Sequence, residues 1–275
     1  VNARTGADGI LAVGGGSAIG LAKAIAARAP RPVIAVPTTY SGSEMTAIWS
    51  TTDAGGKRTS RDRHVAPRAV LYEPALAVTL PPAVSAASGM NAVAHCVEAL
   101  YAVEANPVAS LLAEAGLRTL AQTLPRVVRQ PADLQARADA FLGSHFAGRA
   151  LDLTTMGLHH QLCHILGGTF GLPHALTHAI VLPHAVAFNG SAAKGALETV
   201  ADALGNRPAW TGLDALNRAL GITQTLADLG LRREDIDRAA DLAAQRPYPN
   251  PRPVTRDGIR VVLEAAFTGA APAPI

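Results

Sequence analysis

The chain has 275 residues, of which 49% are hydrophobic, 16% charged and 4% aromatic, and its formal net charge is +3. This is a globular composition, large enough for one big domain or two modest ones. There is no basic stripe, no run near the roughly 20 apolar residues of a membrane span, and only two cysteines, Cys96 and Cys163, so the composition excludes a nucleic-acid surface, a transmembrane helix and a disulfide framework and makes a reducing cytoplasm the expected setting.

The chain opens without Met on a strand-like run and carries no signal-peptide pattern. Residues 9–13 read as a buried strand, Gly14-Gly15-Gly16-Ser17 as a turn, and 18–28 as a helix. Further strands are expected at 32–36 and 70–72. Between them, the segment 58–68 has Asp62 amid its basic residues and reads as a solvated loop. Strand, turn, helix, strand implies a parallel sheet with helices on its faces. The composition changes near Pro81-Pro82. Beyond it, helical periodicity predicts helices at 83–102, 110–123, 134–151, 157–166, 175–189, 194–203, 210–220, 233–244 and 256–266, with a proline-rich break at 247–253 and a loose tail over 270–275. The expected organisation is the end of an α/β domain over 1–80 joined to an all-α domain over 81–275.

Two features of the first part suit a phosphate-bearing ligand. Glycines let the backbone approach an anion closely, and the free N–H groups at a helix start point towards it. The spacing departs from the usual dinucleotide fingerprint, because Gly14 and Gly16 are followed by Gly20, one residue late. The second strand ends in Pro37-Thr38-Thr39-Tyr40-Ser41-Gly42-Ser43-Glu44. Ligands of doubly wound sheets lie outside the carboxyl ends of strands, and this end is dense in hydroxyl and amide donors.

The second part carries the titratable groups. Asn91 and His95 are four apart on one predicted helix and point the same way, and His160 and His164 repeat that geometry on another. His174 follows a glycine-rich turn, with His159, His178 and His184 nearby in sequence. Imidazoles at matched spacings can coordinate a divalent metal or give protons to a substrate.

Taken in order, Gly-Gly-Gly-Ser at 14–17, Pro-Thr-Thr-x-x-Gly-Ser-Glu at 37–44, Gly-Met-Asn-Ala-x-x-His at 89–95 and His-x-x-x-His-x-x-Gly-Gly…Pro-His at 160–174 resemble the iron-type alcohol dehydrogenases. Residues 158–168, Leu182-Pro183-His184 and Asn250-Pro251-Arg252-Pro253-Val254 are most similar to the maleylacetate reductase branch. The resemblance implies the dehydroquinate synthase-like architecture: an incomplete Rossmann-like sheet followed by a helical catalytic domain, with the first βα units, and the residue that selects NADH or NADPH, upstream of Val1. It implies that Gly15, Gly16 and Ser17 hold the pyrophosphate of NADH or NADPH, that Thr38, Thr39 and Ser43 contact the cofactor, and that Lys57 matches a cofactor-contacting lysine. It further implies a homodimer.

Metal-dependent relatives ligate their ion with one Asp and three His. The histidines match here as His95, His160 and His174, but the aspartate position is Asn91. A neutral amide is a poorer ligand for a dication, so weak or absent metal binding is expected. The implied reaction is reduction of the C=C bond of maleylacetate, a conjugated keto-diacid, to 3-oxoadipate. His164 or His95 would serve as proton donor, His160 and His174 would orient the substrate, and Arg149 is a candidate partner for a substrate carboxylate. The alternatives are a metal-dependent alcohol or polyol dehydrogenase of the same superfamily and a non-catalytic remnant.

Overall fold

The computed structural model describes residues 6–53, 56–245 and 248–274, and the side chains of all of these but 52, 53 and 56–58. The first strand, β1 (Ile10–Gly14), pairs in parallel with β2 (Val33–Pro37), from Ile10 opposite Val33 to Gly14 opposite Pro37. The crossover between them is α1 (Gly16–Arg28). It lays Ile19, Ala22 and Ala26 on Ala12, Val33 and Ala35, as a short βαβ unit must to bury one face of its sheet. Alternation along the strands sends Leu11, Val13 and Ile34 the other way, where they are exposed.

The chain then departs from expectation. Two strands, β3 (Ile48–Asp53) and β4 (Gly56–Arg61), form an antiparallel pair, with Ile48 opposite Arg61. The stretch 58–61 is therefore strand rather than solvated loop. The hairpin is polar, with Ser50 and Thr59 joined hydroxyl to hydroxyl across it at 2.9 Å, so it lacks the apolar alternation that marks a half-buried strand. The third parallel strand, β5 (Ala69–Val70), pairs with β2 and is only two residues long.

The helical part begins with α2 (Pro82–Leu100), in which every residue from Ser85 to Ala99 is buried. A helix apolar and small on all sides belongs at the centre of its domain. Around it stand α3 (Pro107–Arg129) and α4 (Leu134–Leu153). A Cβ on Gly116 of α3 would sit 2.9 Å from the sulfur of Cys96 on α2 and 3.1 Å from the carbonyl of Gly143 on α4, so the three helices close on one another only because that residue is glycine. The third helix starts earlier than its periodicity predicts. Asn106 caps it, accepting from the amides of Val108 and Ala109 at 3.1 and 3.0 Å, and Pro107 takes the first position. The remaining helices are α5 (Leu158–Phe170), α6 (His174–Phe188), α7 (Lys194–Ala203), α8 (Ala209–Ala219), α9 (Asp235–Ala244) and α10 (Arg256–Thr268). The α/β part followed by an all-α part agrees with the sequence expectation, and no helix among the described residues is long and apolar enough to cross a membrane.

One buried guanidinium fastens α4 to the segments around it. Arg137, fully buried, donates to Tyr40 Oη and Ser85 Oγ at 2.8 Å, to the Pro131 carbonyl at 3.0 Å and to the Leu80 carbonyl at 3.2 Å.

Candidate active site

The glycine turn keeps its donors free. Gly15 is the N-cap of α1 and offers no side-chain cap, and the first turn holds no acidic residue. The amides of Ala18 and Ile19 bond to the Gly15 carbonyl at 3.0 and 3.2 Å. Those of Gly16 and Ser17 have no acceptor within a helix of this geometry. The end of β2 lies against this turn: Thr38 donates its amide to the Gly14 carbonyl at 3.0 Å. A Cβ on Gly15 would meet Thr39 at 3.0 Å, and one on Gly16 would lie 3.5 Å from Ser41 Oγ, itself 3.2 Å from Ser43 Oγ. Gly15, Gly16, Ser17, Thr38, Thr39 and Ser43 are thus gathered at the carboxyl ends of β1 and β2. Such a cradle of uncapped amides and hydroxyls, which a Cβ would fill, fits a pyrophosphate. The side chain of Lys57 lies outside the described residues.

A buried lysine braces the loop from below. Lys23 of α1 donates to the Ser43 carbonyl at 2.5 Å, to Thr46 Oγ1 at 3.0 Å and to the Ile48 carbonyl at 2.9 Å, and burial lowers its ammonium to about 8 although Glu44 and Asp152 pull the other way.

The imidazoles converge. His95 of α2 stacks on His160 of α5 with ring centres 5.0 Å apart. His160 lies 6.2 Å from His164, His164 lies 6.0 Å from His174 of α6, and His174 lies 4.4 Å from His178. Asn91 is buried one turn before His95, and its Oδ1 has no hydrogen-bond partner. His95, His160, His164, His174 and His178 line one cavity of about 350 Å³. The hairpin β3–β4 and the end of α4 supply the opposite side, through Ser50, Thr59, Arg61 and Thr154.

Glu98, three residues beyond His95 on α2 and absent from the sequence reading, organises this wall. Its Oε1 accepts the amides of Gly157 and His159, both at 3.1 Å, and its Oε2 accepts the amide of His160 at 3.2 Å and faces His160 Nδ1. Gly157 has no side chain with which to cap α5, so a carboxylate from another helix takes the anionic place at its start. Burial alone would raise the Glu98 carboxyl, but the imidazoles of His160 and His159 and those hydrogen bonds hold it well below the usual carboxylate range. An ionised acceptor at Nδ1 places the His160 proton there and leaves Nε2 for the cavity. Behind it His159 is fully buried, with Nε2 3.0 Å from the His178 carbonyl. Burial would lower His159, but Cys163 and Glu98 beside it raise it to about 10. Burial first, then the neighbouring imidazoles, push His95 and His178 well below their ordinary value, so both are neutral near pH 7. Neutral His95 and His178 thus stand near a protonated His159, whose charge Glu98 compensates.

Arg149, the expected carboxylate partner, stands half-buried on α4 near His145, where its charge helps burial lower that imidazole. Among the described residues lining the cavity the guanidinium is that of Arg61 instead, and no carboxylate lines it. Arg149 is close to the cluster in sequence, but α4 turns it towards other neighbours.

The donor set is poor for a divalent ion. Among the described residues, the group of histidine, cysteine or carboxylate side chains whose ligand atoms lie within 4.8 Å of one another is His159, His160 and His178, not His95, His160 and His174. Of those three, His159 keeps Nε2 on the His178 carbonyl at 3.0 Å and turns Nδ1 towards His160 Nδ1 at 3.3 Å. The nearest carboxylate, Glu98, is occupied by three amides and His160. The buried His159, His160 and His178 could hold an ion, but no carboxylate among the described residues lining the cavity completes the set that iron favours.

Residues 2–74 match the family described as iron-containing alcohol dehydrogenase, and residues 85–267 match the Fe-containing alcohol dehydrogenase family, C-terminal. The chain belongs to the iron-containing alcohol dehydrogenase family. It is 50% identical over 269 residues to the maleylacetate reductase of Burkholderia cepacia, covering 98% of this chain and 76% of that protein. It is 48% identical over 266 residues to the maleylacetate reductase of Sphingobium indicum, with 97% and 76% covered. The crystal structure of maleylacetate reductase from Agrobacterium tumefaciens superimposes with a TM-score of 0.95 at 45% identity, over 98% of this chain and 77% of that one.

Proposed function

We propose that this chain reduces the C=C bond of maleylacetate, giving 3-oxoadipate, with NADH or NADPH as the reductant. The observation that carries the reading is the imidazole wall: five histidines line a cavity into which no carboxylate of the described residues projects, in a chain about half identical to maleylacetate reductases over almost its whole length.

Gly15, Gly16 and Ser17 would hold the pyrophosphate through the amides at the start of α1, with Thr38, Thr39 and Ser43 beside them. When bound, the reduced nicotinamide supplies the hydride for the alkene carbon β to the ketone. The residues of this chain handle the charge and the proton. Negative charge collects on the ketone oxygen as an enolate, and His95 or His164 stands on the cavity wall to donate a hydrogen bond to that oxygen and then to give the carbon beside the ketone the proton that completes the reduction. His160, fixed through Nδ1 by Glu98, and His174 orient the substrate. A delocalised enolate needs hydrogen-bond donors more than a Lewis acid, which suits a donor set with an amide, Asn91, and no carboxylate facing the cavity.

The test is NADH oxidation by the purified chain with maleylacetate, with and without a chelator. Turnover that a chelator leaves unchanged is expected. Turnover abolished by chelation and restored by iron or zinc would replace this reading with a metal-dependent alcohol or polyol dehydrogenase.

A further inference from the structure

The wall opposite the histidines holds a charge that the mechanism above does not use. Arg61 ends β4 and lies between the cavity and the last turn of α4. That turn has no basic residue of its own. Arg61 supplies one: its guanidinium donates to the carbonyls of Asp152, Thr154 (3.2 Å) and Leu151 (3.5 Å), and lies 3.6 Å from the Asp152 carboxylate. These contacts fix the plane of the fork without burying it, since 46% of the side chain remains exposed. Asp152 is partly committed elsewhere, accepting the Ala47 amide at 2.8 Å. A guanidinium has five N–H donors, so carbonyls at its back leave donors for an anion in front. The hydroxyls of Ser50 and Thr59 lie on the same strand pair and line the same cavity.

We propose that Arg61 receives a carboxylate of the substrate and is the residue that selects a dicarboxylate. The inference rests on the functional reading above and extends it to specificity. A doubly charged keto-diacid would place its ketone oxygen among the imidazoles and a carboxylate on the opposite wall, where Arg61 is the cation among the described lining residues. The preformed fork accepts that carboxylate without first ordering a long side chain. The hairpin β3–β4 is then the element that reads the substrate, and the helical part is the element that moves the proton.

The experiment compares maleylacetate with its monomethyl esters as substrates for NADH oxidation by the 275-residue chain. The parent is expected to prefer the diacid over the ester lacking the Arg61-bound carboxylate by about 10- to 100-fold in kcat/KM, the range for a hydrogen bond to a charged group. In Arg61→Gln that ratio should collapse towards one, chiefly through KM. Arg61→Lys, which keeps a charge at the end of α4 but loses the fork, should retain part of it and decides the matter if the glutamine variant does not fold. A merely structural role would lower the rates for diacid and ester alike and leave their ratio intact, and an intact ratio in a folded variant overturns the assignment. A parent that turns over neither substrate overturns the functional reading and this inference with it, whereas turnover with an unchanged ratio in the variants overturns Arg61 alone.

Discussion

Replacing Glu98 by glutamine would change a single atom, yet it should disturb both folding and turnover. The carboxylate accepts the amides of Gly157, His159 and His160 and the Nδ1 proton of His160, four donors in a fully buried place. A glutamine can keep its carbonyl oxygen on Gly157 and His159, but its NH2 must then face the amide and Nδ1 of His160. One backbone donor is orphaned, at about 1–3 kcal/mol, and the negative charge opposite the protonated imidazole is lost. Removing one partner of a buried pair costs roughly 3–5 kcal/mol in total. For a chain of this size that lowers Tm by on the order of 10 °C. A donor facing Nδ1 also forces the other tautomer on His160, an error worth on the order of 10³- to 10⁴-fold in kcat where a comparable carboxylate–imidazole pair has been broken. The assay is paired, with a thermal melt beside kcat and KM for NADH oxidation at 25 °C. The cofactor cradle is made by other residues, so KM for NADH should stay within about threefold, a change of under 1 kcal/mol. A variant that melts within 2 °C of the parent, roughly 1 kcal/mol at most, and turns over at the parent rate would refute the argument.

Three other changes probe separate parts of the structure. Arg137→Met leaves Tyr40 Oη, Ser85 Oγ and two carbonyls without their buried donor, and should cost about 2–4 kcal/mol, read as a lowered urea midpoint. Gly15→Val puts methyl groups where a single Cβ already lies 3.0 Å from Thr39; it should raise KM for NADH about tenfold or more, a loss of at least 1.4 kcal/mol, while kcat at saturating cofactor changes little, which steady-state kinetics would show. His184 is lowered to about 4 by burial, with Asp214 pulling the other way, from an ordinary value of 6.5. The unfolded chain therefore binds the extra proton between pH 6.5 and 4, so stability falls as pH falls through that window, by up to about 3 kcal/mol for this residue. His184→Asn should flatten that part of the curve of urea midpoint against pH, and an unchanged slope would show that the residue is not held neutral in the fold.

What the sequence made legible, and what it hid, follows from how far apart the partners lie along the chain. The α/β start, the helical remainder and the pairs Asn91/His95 and His160/His164 could be read from periodicity, because a helix brings residues four apart together without outside help. Arg61 and the hairpin could not, because a polar strand pair carries no apolar rhythm and its cavity face is set by α4, some 90 residues later. Glu98 escaped for a different reason. It lies on the face of α2 that also carries Asn91 and His95, at intervals of seven and three, so a signal was present, but a lone helical glutamate reads as surface until the helix it caps is known. That helix begins 60 residues further on with a glycine that cannot cap itself. A central helix buried from Ser85 to Ala99 can keep a carboxylate there only if every lone pair is satisfied, and the free amides at the start of α5 satisfy it. The same contact delivers His160 to the cavity and sets His159 behind it. Placement of the histidines is thus a by-product of solving a burial problem, which is why substitutions that disable this wall should also loosen the fold, whereas those on the hairpin side can change substrate choice at little cost to stability.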